Sequence, residues 1–169
     1  LSANIGFGIS LDPQTVPVCG ISKVRAADIE NFKSNGLVCK LISTGKQENG
    51  KVRAYVQPTL FPANAPEAVV PTNYNLITLV GSASERMSFY GQGAGRYPTA
   101  YNVMQDCMDV LLGKGFYSPY GEKTEACNDN TLCYYVSGDT DAWLEENTDR
   151  RWGDAVITKP VCVDVMHAW

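Results

Sequence analysis

The stretch from Met87 to Gly113, M-S-F-Y-G-Q-G-A-G-R-Y-P-T-A-Y-N-V-M-Q-D-C-M-D-V-L-L-G, constrains the fold more than any other part of the chain. Its first residues are apolar or aromatic, as in a strand, and three glycines at alternate positions then favour a turn. Pro98 and Thr99 suit the first turn of a helix, because the N–H that proline lacks would be unpaired there. The pattern therefore predicts a strand, a glycine loop and a helix.

The predicted helix has an apolar stripe that a sheet could cover, and Gly113 and Gly115 end it. Its apolar residues recur at spacings of three and four: Val103, Cys107, Val110 and Leu111. The loop before the helix has two interpretations: close approach of a ligand to the helix N-terminus, or a tight turn that needs glycine for steric reasons alone. The order G-x-G-x-G differs from the dinucleotide fingerprint G-x-G-x-x-G, so a phosphate cradle is not favoured.

The residues from Phe89 to Ala100, F-Y-G-Q-G-A-G-R-Y-P-T-A, resemble the G-x-G-A-G-x-x-P-T-A segment of homoserine dehydrogenases. The resemblance covers roughly residues 1 to 117 and fades after them. Upstream segments are similar to the family's I-L-A-x-x-A-F-G, V-x-G-I, D-I, I-K-L, V-x-P-T-L-x-P and N-x-x-x-x-x-G patterns; they are residues 3–8, 11–21, 28–29, 39–41, 56–62 and 75–81.

This resemblance implies a parent enzyme that uses NADP or NAD to interconvert aspartate semialdehyde and homoserine, in the route to threonine and methionine. Such an enzyme is expected in the cytoplasm and as a homodimer that pairs through the sheet of this domain. The resemblance assigns a set of residues to the wall where nicotinamide and substrate meet: Gly91, Gly93, Ala94, Gly95, Pro98 and Thr99.

The same resemblance places the family's catalytic acid and lysine in a D-x-x-x-K-L segment, whose leucine corresponds to Leu1. The catalytic lysine would then lie one residue before this chain, and the nucleotide-binding Rossmann domain further upstream. We therefore expect no catalytic residue within the chain and no turnover from the chain alone. The alternative from another class is a regulatory or dimerisation module that binds an amino acid without catalysis.

Length and composition indicate one globular domain of ordinary size with at most a small appendage, since 169 residues are 44% hydrophobic and 19% charged. The net charge is −4 and no basic stripe is present, which argues against a nucleic-acid surface. No apolar run approaches the roughly 20 residues that a membrane span needs. We expect neither nucleic acid nor membrane as a partner.

The six cysteines are interpreted as reduced packing residues, since four of them lie within apolar patterns: Cys19, Cys39, Cys107 and Cys162. Cys127 and Cys133 could bridge in an oxidising setting. No C-x-x-C pair exists and His167 is the only histidine, so no zinc site is expected.

The fold class predicted from these patterns is α+β, with mixed or antiparallel strands in one sheet and helices from Ala26 and Pro98 packed on one face. A short strand is expected at residues 16–21, followed by hairpins of strands 37–44 with 52–58 and 74–80 with 86–90. The glycine of K-Q-E-N-G-K supplies the positive φ that the first hairpin turn requires.

Residues 118–169 are expected to form a small C-terminal appendage after the family-like unit of residues 1–117. A polar, turn-rich linker precedes a predicted β-α-β unit with strands at 132–136 and 155–161 and a helix at 141–147. This unit is similar to the ACT module that many homoserine dehydrogenases carry, but it is shorter and lacks the P-G-V-L pattern of that module. It is a shortened ACT-like unit at most.

Several polar side chains have both a functional and a structural interpretation. Lys40 could bind a carboxylate if it faces inward, or lie at a sheet edge. Asp106 and Asp109 share a helical face, as an acid pair or as solvated residues. Arg96 and Tyr97 could contact a ligand or a second subunit. His167 is either functional or simply packed at the surface.

Overall fold

The computed structural model describes residues 2–114 and 121–169 and confirms the α+β class. The α-helices within these residues are α1 (Ser2–Phe7), α2 (Ala26–Ser34), α3 (Arg96–Leu111), α4 (Ala142–Glu146) and α5 (Val163–Ala168), and Pro13–Thr15 form a 3₁₀ helix. Strands are β1 (Ser10–Leu11), β2 (Leu37–Glu48), β3 (Lys51–Pro62), β4 (Tyr74–Gly81), β5 (Glu85–Gln92), β6 (Lys123–Thr124), β7 (Thr131–Leu132), β8 (Tyr135–Ser137), β9 (Thr148–Trp152), β10 (Ala155–Thr158) and β11 (Val161–Cys162). Leu1, Gly115 and the expected boundary between residues 117 and 118 lie outside the described residues.

The longest paired strands are β2 and β3, which confirm the first predicted hairpin. They pair antiparallel from Leu37 with Pro62 to Glu48 with Lys51. The turn consists of Asn49 and Gly50, whose φ angles are 52° and 75°. Positive φ at both positions matches the twist of the flanking strands, which explains why the strands continue closer to the turn than the pattern alone predicted.

The expected strand at residues 16–21 is wrong, because this segment forms only an isolated parallel bridge between Val18 and Val56. Cys19 donates its N–H to Val56, and Val56 donates its own to Pro17. Pro17 has no N–H with which to extend the ladder. The segment nevertheless lies against β3 and forms one wall of an open cavity.

The strands lie in five small sheets rather than in one sheet. Within the described residues the pairings are β2 with β3, β4 with β5, β1 with β6, β7 with β11, and a three-stranded sheet in the order β8-β10-β9. The β4–β5 hairpin pairs with no strand of the β2–β3 hairpin. Pro66 and Pro71 lie between the two hairpins, and proline cannot donate a ladder hydrogen bond.

The core joins α2 to the C-terminal part of the chain. Phe32 is buried, and its ring packs edge-on against Tyr135, with centroids 4.7 Å apart. Trp152 completes the cluster at 5.6 Å from Tyr135. Aromatic pairs of this geometry stabilise a core beyond the area that they bury. Residues separated by about one hundred positions in sequence thus share one hydrophobic cluster.

A buried side chain also fastens the C-terminal residues to β3. Asn128 is fully buried, and its Oδ1 accepts the N–H of Ala54 at 2.8 Å. Its amide nitrogen donates to Asp164 at 3.2 Å, and its backbone N–H donates to the same carboxylate at 3.0 Å. Since every buried polar group of Asn128 has a partner, this contact specifies how the two parts of the chain pack.

The C-terminal residues contain the expected helix, but each expected strand is divided in two, 132–136 into β7 and β8 and 155–161 into β10 and β11, and β9 is additional. The predicted helix at 141–147 is confirmed as α4, and Asp141 caps it by accepting the N–H of Leu144 at 2.8 Å. Strand β9 was not predicted. Its sequence T-D-R-R-W is mostly charged and lacks the alternation that marks a half-buried strand, because only the ends of β9 are partly covered.

Candidate functional site

The glycine loop connects β5 to α3, as the sequence predicts. Gly95 precedes the helix with φ of 123°, a conformation that residues with a Cβ rarely adopt. Thr99 donates its N–H to the carbonyl of Gly95 at 3.0 Å and so closes the first helical turn. Pro98 lies in that turn, which confirms its predicted place. The strand, loop and helix are therefore one continuous unit.

Asn73 and Asn75 hold the loop from behind. The carbonyl of Asn73 accepts the N–H of Gly93 at 2.8 Å, and its side-chain amide donates to the carbonyl of Ala94 at 2.7 Å. A Cβ on Gly93 would collide with the side-chain amide of Asn75. The Asn75 side chain thus occupies the space that a Cβ at position 93 would need, which supports the steric interpretation at this one position.

Sequence reasoning missed this role of the two asparagines. The signal that could have found them is the N-Y-N of residues 73–75 at the start of β4, opposite the glycines in a hairpin that was itself predicted. In the register Asn75 pairs with Gly91 and Tyr74 pairs with Gln92. Hairpin register thus carries these side chains to the loop.

The outer surface of the loop is open. Gly91, Gly93, Ala94, Gly95 and Thr99 are exposed, and Pro98 is half-buried. No side chain of the described residues caps the N-terminus of α3, which leaves the N–H groups of Arg96 and Tyr97 uncapped. The helix dipole places partial positive charge there. Such a surface can donate hydrogen bonds to the oxygen of a flat carboxamide or to another partly negative group.

Arg96 and Tyr97 stand beside this opening and contact each other. Arg96 donates to the Tyr97 hydroxyl at 2.7 Å, and its guanidinium lies 4.6 Å from the Tyr97 ring centroid. Tyr97 is 73% exposed. The pair forms a rim to the loop, and both interpretations from the sequence, ligand contact and subunit contact, stay open.

The helix that follows the loop is uncovered. α3 contains no buried residue, and Val103, Val110 and Leu111 are 55%, 66% and 80% exposed. The sheet cover that the apolar stripe predicted is therefore not formed by residues 2–114 and 121–169. One face of the β4–β5 hairpin is also apolar and exposed, and it consists of two cross-strand pairs, Ile77 with Phe89 and Leu79 with Met87.

Two of the other polar candidates have structural partners. Lys40 donates to the carbonyl of Val70 at 2.8 Å and ties β2 to the segment before β4. Asp109 accepts from Lys114 at 2.8 Å and from Gln105 at 2.9 Å, and these hydrogen bonds lower the pKa of Asp109. Asp106 is exposed on the same helix. These contacts favour the structural interpretation for Lys40 and for Asp109.

His167 lies far from the glycine loop in sequence and is half-buried. One of its ring nitrogens lies 3.1 Å from the side-chain oxygen of Gln57, and burial lowers the pKa of His167. Among the residues that the structure describes, no three histidine, cysteine, aspartate or glutamate side chains gather to hold a metal ion. No described helix is long and apolar enough to cross a membrane.

The cysteines are free thiols, but their expected burial is only partly correct. Cys19 and Cys107 are exposed, so the packing interpretation is wrong for them. Cys39 and Cys162 are half-buried. Cys107 lies on the uncovered α3, and Cys19 lies in the segment that formed a bridge instead of a strand. The apolar patterns around Cys19 and Cys107 predicted that other elements would cover these side chains. The described residues do not cover them.

Comparison with known proteins agrees with the glycine-loop motif. A family model for homoserine dehydrogenase matches residues 1–108. Over 128 residues the chain is 35% identical to homoserine dehydrogenase of Bacillus subtilis, which covers 72% of this chain and 30% of the relative. Over 131 residues it is 37% identical to homoserine dehydrogenase of Corynebacterium glutamicum, covering 73% of this chain and 29% of the relative.

Solved structures show the same relationship. A crystal structure of S. aureus homoserine dehydrogenase at pH 6.0 matches with a TM-score of 0.65 and 26% identity, over 96% of this chain and 45% of that one. The fold also matches a homoserine dehydrogenase from Thiobacillus denitrificans with a TM-score of 0.72 at 20% identity, over 99% of this chain and 46% of that one. The chain spans about 30% of the length of the curated relatives above. It belongs to the homoserine dehydrogenase family.

Proposed function

We propose that this chain is the substrate-side part of an enzyme that interconverts L-aspartate 4-semialdehyde and L-homoserine with NADP or NAD, in threonine and methionine biosynthesis. One observation carries the proposal: the glycine loop is held from behind by Asn73 while its outer surface stays exposed. A tight turn does not by itself require an exposed helix N-terminus beside it, whereas a surface that binds a partly negative group does use one.

The residues at this surface fit a nicotinamide group. The wall would consist of Gly91, Gly93, Ala94, Gly95, Pro98 and Thr99, where the glycines present backbone without side chains. The N–H groups beside this wall are those of Arg96 and Tyr97 at the start of α3. When bound, the cofactor supplies or accepts the hydride. The protein residues orient the ring and the substrate against each other and exclude water from the space between them.

The chain itself supplies only part of such a site. It spans about 30% of the length of its curated relatives, and α3 exposes a stripe of apolar residues that folded proteins ordinarily cover. We propose that the rest of the enzyme covers this stripe and supplies the catalytic groups, and that the chain alone does not turn over. The family-like unit would end near residue 117, before the shortened ACT-like residues 118–169, in accord with the family match over residues 1–108.

The enzyme would form a homodimer through the exposed face of the β4–β5 hairpin. Ile77, Leu79, Met87 and Phe89 form adjacent cross-strand pairs and are each about half exposed, between 46% and 54%. A contiguous apolar face of this kind is typical of an interface. We also propose a cytoplasmic location, where a reducing environment keeps thiols such as the six free cysteines of this chain unpaired.

The test of the nicotinamide wall is Gly91→Ala in the full-length enzyme, assayed for homoserine oxidation with NADP and with NAD. A Cβ at position 91 meets no atom of the described residues within 4 Å, so the substitution displaces none of these neighbours. We expect kcat/KM to fall by about tenfold or more, in accord with a displaced reactant.

Gly6→Ala is the matched control, because a Cβ there also meets no atom within 4 Å. Unchanged activity in Gly91→Ala would contradict the wall, whatever the control shows. The purified 169-residue chain should show no oxidation of homoserine, and turnover by that chain would contradict its partial role.

A further inference from the structure

Arg96, the first residue of α3, carries a positive charge that no carboxylate of the described residues pairs with. Other arginines form ion pairs with acidic side chains: Arg25, Arg53, Arg86 and Arg151. Arg96 instead donates to the Tyr97 hydroxyl at 2.7 Å. The chain has 18 acidic and 14 basic residues, so a shortage of acidic side chains does not explain this exception.

The acidic residues of the elements next to the loop lie far along them or are already paired. On α3 the first acidic residue is Asp106, about 15 Å from Arg96 at the helical rise per residue. On β5 Glu85 lies at the far end of the strand, about 24 Å from the loop. Glu67, in the segment before β4, pairs with Arg86. Since the Debye length is about 8 Å at physiological ionic strength, Asp106 and Glu85 leave the charge of Arg96 largely uncompensated.

Tyr97 orients the guanidinium of Arg96 without neutralising it. The guanidinium lies 4.6 Å from the centroid of the Tyr97 ring, and the hydroxyl accepts only one of its N–H donors. The other donors of the guanidinium fork match the two oxygens of a carboxylate or phosphate. A side chain that is already oriented loses less conformational freedom when it binds, which favours binding of an anion by this pair.

Both ligands of the proposed reaction carry anionic groups, and the present inference rests on that proposed function. Homoserine has an α-carboxylate, and NADP and NAD each have a diphosphate. Gly95, which directly precedes Arg96, belongs to the proposed wall where substrate and nicotinamide would meet. A guanidinium binds oxygens of either group through charge-assisted hydrogen bonds, which are about twice as strong as neutral ones.

We propose that Arg96 binds an anionic group of the ligands at the glycine loop, the α-carboxylate of homoserine or the diphosphate of the cofactor, and that Tyr97 is its positioning residue. Contact with a second subunit is the weaker interpretation of this pair. Burying a guanidinium in an interface is costly unless the partner supplies an acidic group, whereas both ligands bring one.

The experiment measures homoserine oxidation by the full-length enzyme and its Arg96→Gln variant, with NADP and with NAD. We expect the KM of one ligand to rise about tenfold, as for a lost charge-assisted hydrogen bond, and this rise to shrink at high ionic strength. A group that binds ground state and transition state equally leaves kcat nearly unchanged. A raised KM for homoserine assigns the carboxylate, and raised KM values for both cofactors assign the diphosphate. In the first case, inhibition by 3-aminopropan-1-ol, which is homoserine without its carboxylate, should not change.

Two further variants separate the binding residue from its positioning residue and from a general charge effect. Tyr97→Phe keeps the ring and removes the hydroxyl, so it should raise the same KM as Arg96→Gln, but only about threefold. Tyr101→Phe, at an exposed residue of α3, is its control and should change neither constant. Arg150→Gln removes the same charge from an exposed arginine of β9 and should also leave both constants unchanged.

The outcomes distinguish this inference from the proposed function. Unchanged KM values for homoserine and both cofactors in Arg96→Gln, beside an active wild type, would overturn the inference and leave the proposed function intact. Equal rises in Arg96→Gln and Arg150→Gln would also overturn it, since they would reflect net charge alone. A shift toward monomer in sedimentation velocity with unchanged KM values would assign the pair to a subunit contact instead. Absence of homoserine oxidation by the wild type would overturn the proposed function, and the inference with it.

Discussion

Asn73 donates its side-chain amide to the carbonyl oxygen of Ala94 at 2.7 Å and joins the start of β4 to the glycine loop across the hairpin. The two residues are separated by 21 positions in sequence. A second hydrogen bond, from Gly93 to the carbonyl of Asn73, runs beside the first. Together they fix the backbone that would form the nicotinamide wall.

Asn73→Asp should therefore lower the activity of the full-length enzyme. A carboxylate has nearly the same shape as the amide but cannot donate to Ala94, and it would repel the carbonyl oxygen. We expect kcat/KM for homoserine to fall about tenfold, with an unchanged circular dichroism spectrum. Asn35→Asp is the control, since Asn35 is exposed and its side chain contacts only α2. Equal kinetics in wild type and Asn73→Asp would show that the hydrogen bond from Asn73 to Ala94 does not support activity.

Asp28→Asn should destabilise the chain. Asp28 is 3% exposed, pairs with Arg25 at 3.0 Å and accepts the Tyr135 hydroxyl at 3.0 Å. Removing the charge leaves the guanidinium only the more distant carboxylate of Asp154, at 3.7 Å, and we expect a loss of about 1–3 kcal/mol in the free energy of unfolding. Urea denaturation measures it. The exposed Asp149 provides the control Asp149→Asn, which should change stability by less than about 0.5 kcal/mol.

The lowered pKa of Asp28 also makes the stability of the fold depend on pH. The hydrogen bond from Arg25 is the largest cause that lowers the pKa of Asp28 below its ordinary value of 3.8. The folded state therefore holds the proton less tightly than the unfolded state. The contribution of Asp28 is complete above that ordinary value and is lost as the pH falls toward the lowered pKa.

Thermal unfolding of wild type and Asp28→Asn across this acid range separates Asp28 from the other carboxylates. The difference in melting temperature should be largest near neutral pH and should shrink below about pH 4. Exposed carboxylates such as Asp109 and Asp129 have lowered pKa values too and act in the same direction in both proteins. A difference that stays constant down to the lowest pH would contradict the ion pair as its source.

Asn128→Ala should loosen the C-terminal residues from β3. The substitution leaves the N–H of Ala54 unpaired in a buried position and removes one donor to Asp164. We expect a loss of about 2–4 kcal/mol in the free energy of unfolding and faster hydrogen exchange at Ala54. Asn64→Ala at an exposed position is the control. Unchanged protection of the Ala54 amide would mean that this contact does not hold the two parts together.

Phe89→Lys should weaken self-association if the apolar hairpin face is the dimer interface. A lysine placed among Ile77, Leu79 and Met87 would have to lose its hydration in the dimer. Ser88→Lys puts the same charge on the opposite face of the same strand, because neighbouring residues of a strand alternate. Sedimentation velocity of the full-length enzyme should show a shift toward monomer for Phe89→Lys alone. Equal association of both variants would place the interface elsewhere.

Local structure was largely predictable from the sequence. The Asn49-Gly50 turn and the alternation around it indicate the first hairpin, and the structure extends its strands to that turn. Helix α2 begins at Ala26 as predicted and is followed by Gly36 with φ of 69°. The glycines and Pro98 likewise indicate the start of α3. In each case the signal is a backbone requirement of neighbouring residues, which a sequence displays directly.

Contacts between distant residues were not predictable in the same way. Tyr135 donates to Asp28 across 107 positions, and Gln57 meets His167 across 110. Neither pair has a spacing or a motif that distinguishes it from solvated polar residues. For α3 the sequence predicted a contact that the described residues do not make. Its periodicity predicts a buried face but does not say which residues cover that face.

The sequence by itself thus determined the family of this chain, the strand–loop–helix unit and most of its turns, because these depend on glycine, proline and short-range alternation. Only the tertiary structure decided that Asn73 holds the glycine loop and that Asp28 and Asn128 fasten the C-terminal residues. These arrangements depend on which side chains meet when distant elements pack. That packing is a property of the whole fold and of the burial of polar groups within it.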